Sequence, residues 1–184
     1  ITKNSKKKYF ITTSQLRVGF LILLKYLKKK YPKKNHIIFQ SFNLPEMINV
    51  AKNSGFKVEF TELNIATGNP DLRKIKNKIN SKTIGIVITN IFNSPETLII
   101  LRKLCDKRKI ILIGDNAIYF DNFFYKKKKK FFSGSFGDYS LYSFNIMKNI
   151  SAFFGGGVAT NDYYFKKYAL TEIANYSPFK NLIL

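Results

Sequence analysis

Residues 137–149 read Gly137-Asp138-Tyr139-Ser140-Leu141-Tyr142-Ser143-Phe144-Asn145-Ile146-Met147-Lys148-Asn149. Six aromatic, aliphatic and serine residues, 139–144, form a run that suits a buried strand. The run ends on polar residues and a lysine three positions beyond Asn145. An amine held at the end of an apolar strand can form a Schiff base with a carbonyl, and burial favours its neutral, nucleophilic form. In a chain with 32 Lys and Arg a single lysine is more often a solvated cation. What surrounds Lys148 therefore decides its meaning.

Outward from this stretch, short β-branched runs alternate with amphipathic helical stretches. Strands are expected at 36–40, 56–60, 84–89, 109–113, 139–144 and 157–160. Helices are expected at 14–30, 45–54, 71–80, 95–107 and 162–174. Pro45 and Pro95 suit a first helical turn, where a missing N–H costs nothing. Such alternation predicts an α/β fold of three α/β/α layers around a mostly parallel sheet. In that architecture ligands sit at the carboxyl ends of the strands. The lysine-rich residues 125–130 are expected to form an exposed turn.

Composition excludes more than it assigns. The formal charge of +21 raises the question of nucleic acid. The excess is nearly all lysine and comes with many Ile, Asn, Phe and Tyr, a profile that AT-rich coding produces whatever a protein does. The runs 6–8, 28–30 and 126–130 lack interleaved Arg and Gly, so solvated faces are expected rather than a nucleic-acid site. One cysteine, Cys105, allows no internal disulfide and no metal cluster, and it reads as a buried helix position. The single histidine, His36, opens an apolar run and is expected to be structural. The longest apolar run, 18–24, is well short of the ~20 residues that span a bilayer. No signal peptide is apparent, and the chain reads as cytoplasmic.

Two further elements accompany Lys148. Asp115 follows Ile-Ile-Leu-Ile-Gly, and a carboxylate there is costly to bury unless a cation or donors meet it. It can pair with a protonated pyridine nitrogen, and it can equally serve as a helix cap or turn residue. Thr12-Thr13-Ser14-Gln15-Leu16 opens the first long helix, where free amides and hydroxyls suit an anion or an ordinary cap.

Together these elements resemble the DegT-type sugar aminotransferases, a branch of the fold-type I pyridoxal-phosphate (PLP) enzymes. The family's Ser-Phe-His-x-x-Lys-Asn is similar to Ser143-Phe144-Asn145-x-x-Lys148-Asn149, and its Asp-x-Ala to Asp115-Asn116-Ala117. Gly155-Gly156-Gly157-Val158-Ala159-Thr160 looks like the family's glycine turn and return strand, while residues 11–16 match only loosely. The resemblance implies that Lys148 carries the cofactor and moves protons as the catalytic residue. It implies that Asp115 keeps the pyridine nitrogen protonated and that Ala117 packs on the ring. Thr12, Thr13 and Ser143, with neighbouring amides, would bind the phosphate, and Asn145 would stand in the cofactor site where the family usually has His. Leu44 replaces a ring-stacking aromatic, Ile118 a glutamine, and Phe153-Phe154 a Gly-Glu pair.

The reaction implied is transamination from glutamate or glutamine to a nucleotide-linked keto-sugar, in amino-sugar biosynthesis for cell-surface polysaccharides. The partners implied are that nucleotide-sugar, the amino donor and a second copy in a homodimer, with no nucleic acid, membrane span or metal. The chain opens with Ile and ends in Asn-Leu-Ile-Leu. Residues 1–184 are accordingly expected to be a PLP-binding large domain, a fragment lacking the family's C-terminal small domain. Two alternatives stay open: another fold-type I activity such as an amino-acid lyase, or a degenerate relative without catalysis.

Overall fold

The computed structural model describes residues 1–91, 94–118, 120, 123–126 and 128–176. A helical turn α1 (Thr2–Ser5) leads into β1 (Tyr9–Thr13), α2 (Leu16–Lys30), β2 (His36–Gln40), α3 (Pro45–Asn53) and β3 (Lys57–Thr61). Next come α4 (Leu72–Lys78), β4 (Thr83–Thr89), α5 (Pro95–Arg108) and β5 (Ile111–Asp115). A hairpin of β6 (Phe123–Lys126) and β7 (Lys129–Phe132) and a 3-10 turn precede β8 (Tyr139–Ser143), β9 (Gly156–Thr160) and α6 (Tyr163–Tyr176).

Local chemistry sets most of these boundaries. Pro45 and Pro95 occupy first turns as expected. The Asp71 carboxylate accepts from the backbone N–H groups of Arg73 and Lys74 at the start of α4, and Ser94 Oγ accepts from Thr97 N–H at the start of α5. Asp162 Oδ1 accepts from Phe165 N–H at the start of α6. Helices α2 and α3 differ, because no side chain caps their amino ends.

Seven strands form one sheet in the order β1-β9-β8-β5-β4-β2-β3. The pairings β8–β5, β5–β4, β4–β2 and β2–β3 are parallel, while β9 runs antiparallel to both β1 and β8. The sheet is mostly parallel, as expected. Two apolar clusters cover its faces. One joins Phe20, Leu23 and Leu27 of α2, Met47 of α3 and Phe165 of α6 to Ile37, Phe39, Ile113 and Leu141. The other joins Ile75 of α4 and Leu98, Leu101 and Cys105 of α5 to Ile38, Ile86, Ile88 and Leu112. Helices therefore flank both faces, and each fully buried Leu, Ile or Phe in these layers contributes roughly 1.5–3 kcal/mol.

Three expectations are corrected. The strand expected at 109–113 begins at Ile111, because α5 runs through Arg108 and Lys109 terminates it in the left-handed region at φ 52°. Thr12 and Thr13, read as opening the first long helix, instead end β1, which pairs Thr12 with Gly157 and Thr13 with Gly156. Residues 125–126 and 129–130 are strand, with Tyr125 opposite Lys130 and Lys126 opposite Lys129, and the turn expected over 125–130 is confined among the described residues to Lys128. Lysine repulsion is relieved there by cation–π contact, since the Lys130 ammonium lies 3.7 Å from the Phe123 ring centroid and 4.8 Å from that of Phe132.

His36 is buried, its Nδ1 2.9 Å from Thr83 Oγ1 and its Nε2 2.8 Å from Glu59 Oε2, at the sheet edge away from the strand carboxyl ends. Cys105 is buried, and its thiol is pushed up to about 12 by that burial. Among the described residues no helix is long and apolar enough to cross a membrane, and no group of three His, Cys, Asp or Glu is placed to hold a metal.

Candidate active site

The parallel strands end on one edge of the sheet, and β5 and β8 finish there in Asp115 and Ser143. Asp115 lies opposite Thr89 of β4 and Leu141 of β8. The amino end of α2 and the first turn of α3 close over the same edge. Between them lies a cleft of about 250 Å³. Asp115, Ala117, Ser143, Asn145 and Lys148, five of the residues singled out in the sequence, line it.

The carboxylate is the most constrained of them. Asp115 is 4% exposed, and its Oδ1 accepts from Ala117 N–H at 3.0 Å. Burial pushes its pKa up to about 6, against the opposing pull of the Ala117 amide and the Lys148 charge. A buried acid with a perturbed pKa in a cleft, facing a lysine, is a functional-site signal. Lys148 is half-buried and rides on a turn in which its N–H donates to Asn145 C=O at 2.9 Å. It lines the cleft without being sealed inside the core. Ala117 packs against the core formed by α2 and α3, so its methyl group forms a firm wall.

Thr12 and Thr13, expected at a phosphate, do not line the cleft. Thr12 is exposed on β1, and the Thr13 hydroxyl is committed to Gln15 C=O at 2.7 Å. Their neighbours Gln15, Leu16 and Arg17 reach the cleft instead. Gly155 (bridged to Gln15), Glu46 and Met47 of α3, and Met147 also line it. The glycine run and the start of the first long helix were the available sequence signals for these residues, but their register was not legible. Leu44 lines the cleft and is 56% exposed, whereas Ile118, Phe153 and Phe154 are exposed outside the lining.

An α/β sheet thus gathers a lysine, a buried carboxylate and the uncapped amino end of α2 at its strand carboxyl ends. The chain belongs to the DegT/DnrJ/EryC1/StrS aminotransferase family, whose model matches residues 1–175. It is 29% identical to GDP-perosamine synthase of Vibrio cholerae over 127 residues, 69% of this chain and 34% of that protein. The structure of Helicobacter pylori PseC, an aminotransferase involved in the biosynthesis of pseudoaminic acid, matches with a TM-score of 0.78 and 22% identity. The match covers 92% of this chain and 44% of that one. Escherichia coli GDP-4-keto-6-deoxy-D-mannose-3-dehydratase with bound hydrated PLP also gives 0.78, at 24% identity, over 92% of this chain and 43% of that one. At these identities the two structures speak for the fold alone. The chain spans 34–41% of the length of the curated relatives just named and their dehydratase homologue.

Proposed function

We propose that residues 1–184 are the PLP-binding large domain of an aminotransferase that moves an amino group from glutamate or glutamine to a nucleotide-linked keto-sugar. The observation that carries this reading is the buried Asp115 carboxyl in one cleft with Lys148. The residues present fit the cofactor. Asp115 offers a carboxylate that lacks a buried ion-pair partner and would gain one in a protonated pyridine. Lys148 offers the amine, and the uncapped amino end of α2, beside Ser143, offers amides and a dipole to a phosphate. Arg17 lines the same part of the cleft and adds a cation.

PLP, when bound, supplies an electron sink for the carbon that exchanges its amine. The protein supplies the rest. Asp115 holds the proton on the pyridine nitrogen, and its raised pKa makes that charge pair the favoured way to keep it ionised. Lys148 Nζ holds the cofactor in the resting protein and then moves the proton at the amine-bearing carbon. Ala117 bounds the ring from the core side, and the α2 amides with Ser143 orient the phosphate end. Lys148 favours transamination, since its amine can both hold the cofactor and move the proton that this chemistry needs.

A cytoplasmic homodimer belongs to the same proposal. The homodimer is supported by the exposed apolar side chains of segment 146–154 that follow Lys148, where Phe153 is 73% and Phe154 70% exposed. The cofactor assignment is tested by adding PLP to the protein and to Lys148→Ala. A visible band that borohydride fixes covalently in the wild type and that the variant lacks is expected. Identical spectra from two folded proteins would sink the assignment of Lys148.

A further inference from the structure

The ends of β4 and β5 carry two buried amides with no part in the chemistry above. Asn90 follows β4 and is 4% exposed; Asn116 follows Asp115 and is 2% exposed. Asn90 Nδ2 donates to Asn116 Oδ1 at 2.8 Å, and Asn116 Nδ2 donates to Gly114 C=O at 3.1 Å. Their backbones are engaged too. Asn90 N–H donates to Asp115 C=O at 2.8 Å, and Asn116 N–H donates to Leu141 C=O at 2.9 Å. Strands β4, β5 and β8 are thus tied together at their carboxyl ends, around Asp115, by bonds that all involve these two residues.

Gly114 makes room for the pair. A Cβ there would lie 3.3 Å from Asn90 Nδ2 and 3.5 Å from Asn116 Nδ2. Side chains alternate across a strand, so position 114 faces away from Asp115. The amides accordingly sit behind the carboxylate, on the side of the sheet opposite the cleft, and neither lines it. Burying two amides is costly unless they are bonded, and here each satisfies the other and the backbone. Such a network fixes the turn because any pivot of residues 114–117 breaks several bonds at once.

We infer that Asn90 and Asn116 are positioning residues for Asp115: their amide cross-link holds the turn 114–117 so that the carboxylate faces the cleft and stays shielded from water. What the carboxylate is aimed at rests on the function proposed above. The aiming itself is a property of the protein without cofactor.

The test follows the Asp115 carboxyl by ¹³C NMR across pH in cofactor-free protein, for the wild type, Asn90→Ala, Asn116→Ala, the double variant and the gentler Asn116→Ser. Lys148 is the charge that acts on Asp115, Arg17 of α2 and Glu46 of α3 line the same cleft, and all three are unchanged in every variant. The wild-type midpoint of about 6 is expected to fall by roughly one unit in either alanine variant as water reaches the group. The double variant should go no further than Asn116→Ala, since the two side chains are coupled through the bond between them. Asn116→Ser keeps an acceptor for Asn90 and should shift less. PLP titration of the same proteins should show the dissociation constant rising about tenfold, equivalent to 1.4 kcal/mol. Lower thermal stability with an unmoved midpoint would overturn the inference and leave the pair as ordinary scaffold. If the alanine variants do not fold, an unmoved midpoint in Asn116→Ser overturns it equally. A midpoint that moves while PLP binds none of the proteins, wild type included, upholds the positioning and removes the proposed function instead.

Discussion

Gly156 and Leu16 approach so closely that a Cβ on the glycine would lie 2.3 Å from the Leu16 backbone nitrogen and 2.7 Å from its Cα. Gly156 also pairs with Ser143 on β8 and with Thr13 on β1. One missing side chain therefore lets the uncapped end of α2 rest on the sheet beside Ser143, and so sets the width of the cleft at that end.

Gly156→Ala should force the backbone of α2 away from the strand. The obstacle is main chain rather than a flexible side chain, so the cost is expected at about 1–3 kcal/mol in denaturant unfolding. PLP affinity should fall with it, because the amides of α2 would leave their place. A variant with wild-type stability and affinity would mean that α2 shifts freely and that this contact does not set the site.

Asp115 gives the protein a pH dependence of unusual sign. Its folded-state pKa is raised to about 6, above the ordinary carboxylate value near 3.9. Between those values the folded state binds the proton that the unfolded state releases. Stability should therefore decline as pH rises from about 4 to 6 and level off above, by on the order of 3 kcal/mol. Asp115→Asn should abolish the decline and stabilise the cofactor-free protein at neutral pH while weakening PLP binding, a trade of stability for function. Unfolding curves at several pH values check this. Parallel pH profiles for wild type and variant would show that the carboxyl does not carry the penalty.

The sequence disclosed the strands and helices that depend on local pattern. Residues 36–40 are β2 with unchanged bounds, and the helix expected at 95–107 ends one residue later. It singled out Asp115 and Lys148 through their resemblance to the family's motifs, and both line one cleft. What it withheld depends on long-range contact. Strand β1 has the exposed Thr12 and the half-buried Thr13 and is recognisable only through its pairing with β9. That Gln15, Leu16 and Arg17 line the cleft, and Thr12 and Thr13 do not, follows from that pairing, which takes the threonines into the sheet. The Asn90–Asn116 bond joins residues 26 apart and leaves no local trace.

The proposed homodimer predicts where a single charge should split it. Phe154 is 70% exposed, and Phe153 beside it holds φ at 62°, a left-handed conformation that costs a bulky residue energy unless something is gained. Phe154→Asp should convert the protein to a monomer in sedimentation equilibrium without altering Asp115 or Lys148. A variant that sediments as the wild type does would remove segment 146–154 from the interface.

Asp162 makes the last prediction, at the end of the sheet opposite the cleft. Its Oδ2 accepts from Tyr26 OH at 2.9 Å, Tyr139 OH at 2.8 Å and Lys30 Nζ at 3.0 Å, while Oδ1 caps α6. The side chain thus joins α2, β8 and α6. Burial alone would raise the carboxyl's pKa, but the bonds from Phe165, Tyr139, Lys30 and Tyr26 outweigh it and hold the pKa below its ordinary value. The stability this contributes is present above the unfolded carboxylate value and is lost as pH falls through the lower folded one. Asp162→Ala should cost on the order of 3 kcal/mol, since it removes a cap and charge-assisted bonds together. Tyr139→Phe should cost about 1 kcal/mol, because the other donors remain. Acid unfolding of Asp162→Ala should be correspondingly less steep. Equal losses for the alanine and phenylalanine variants would mean that Tyr139 alone matters and that the carboxylate does not join the three elements.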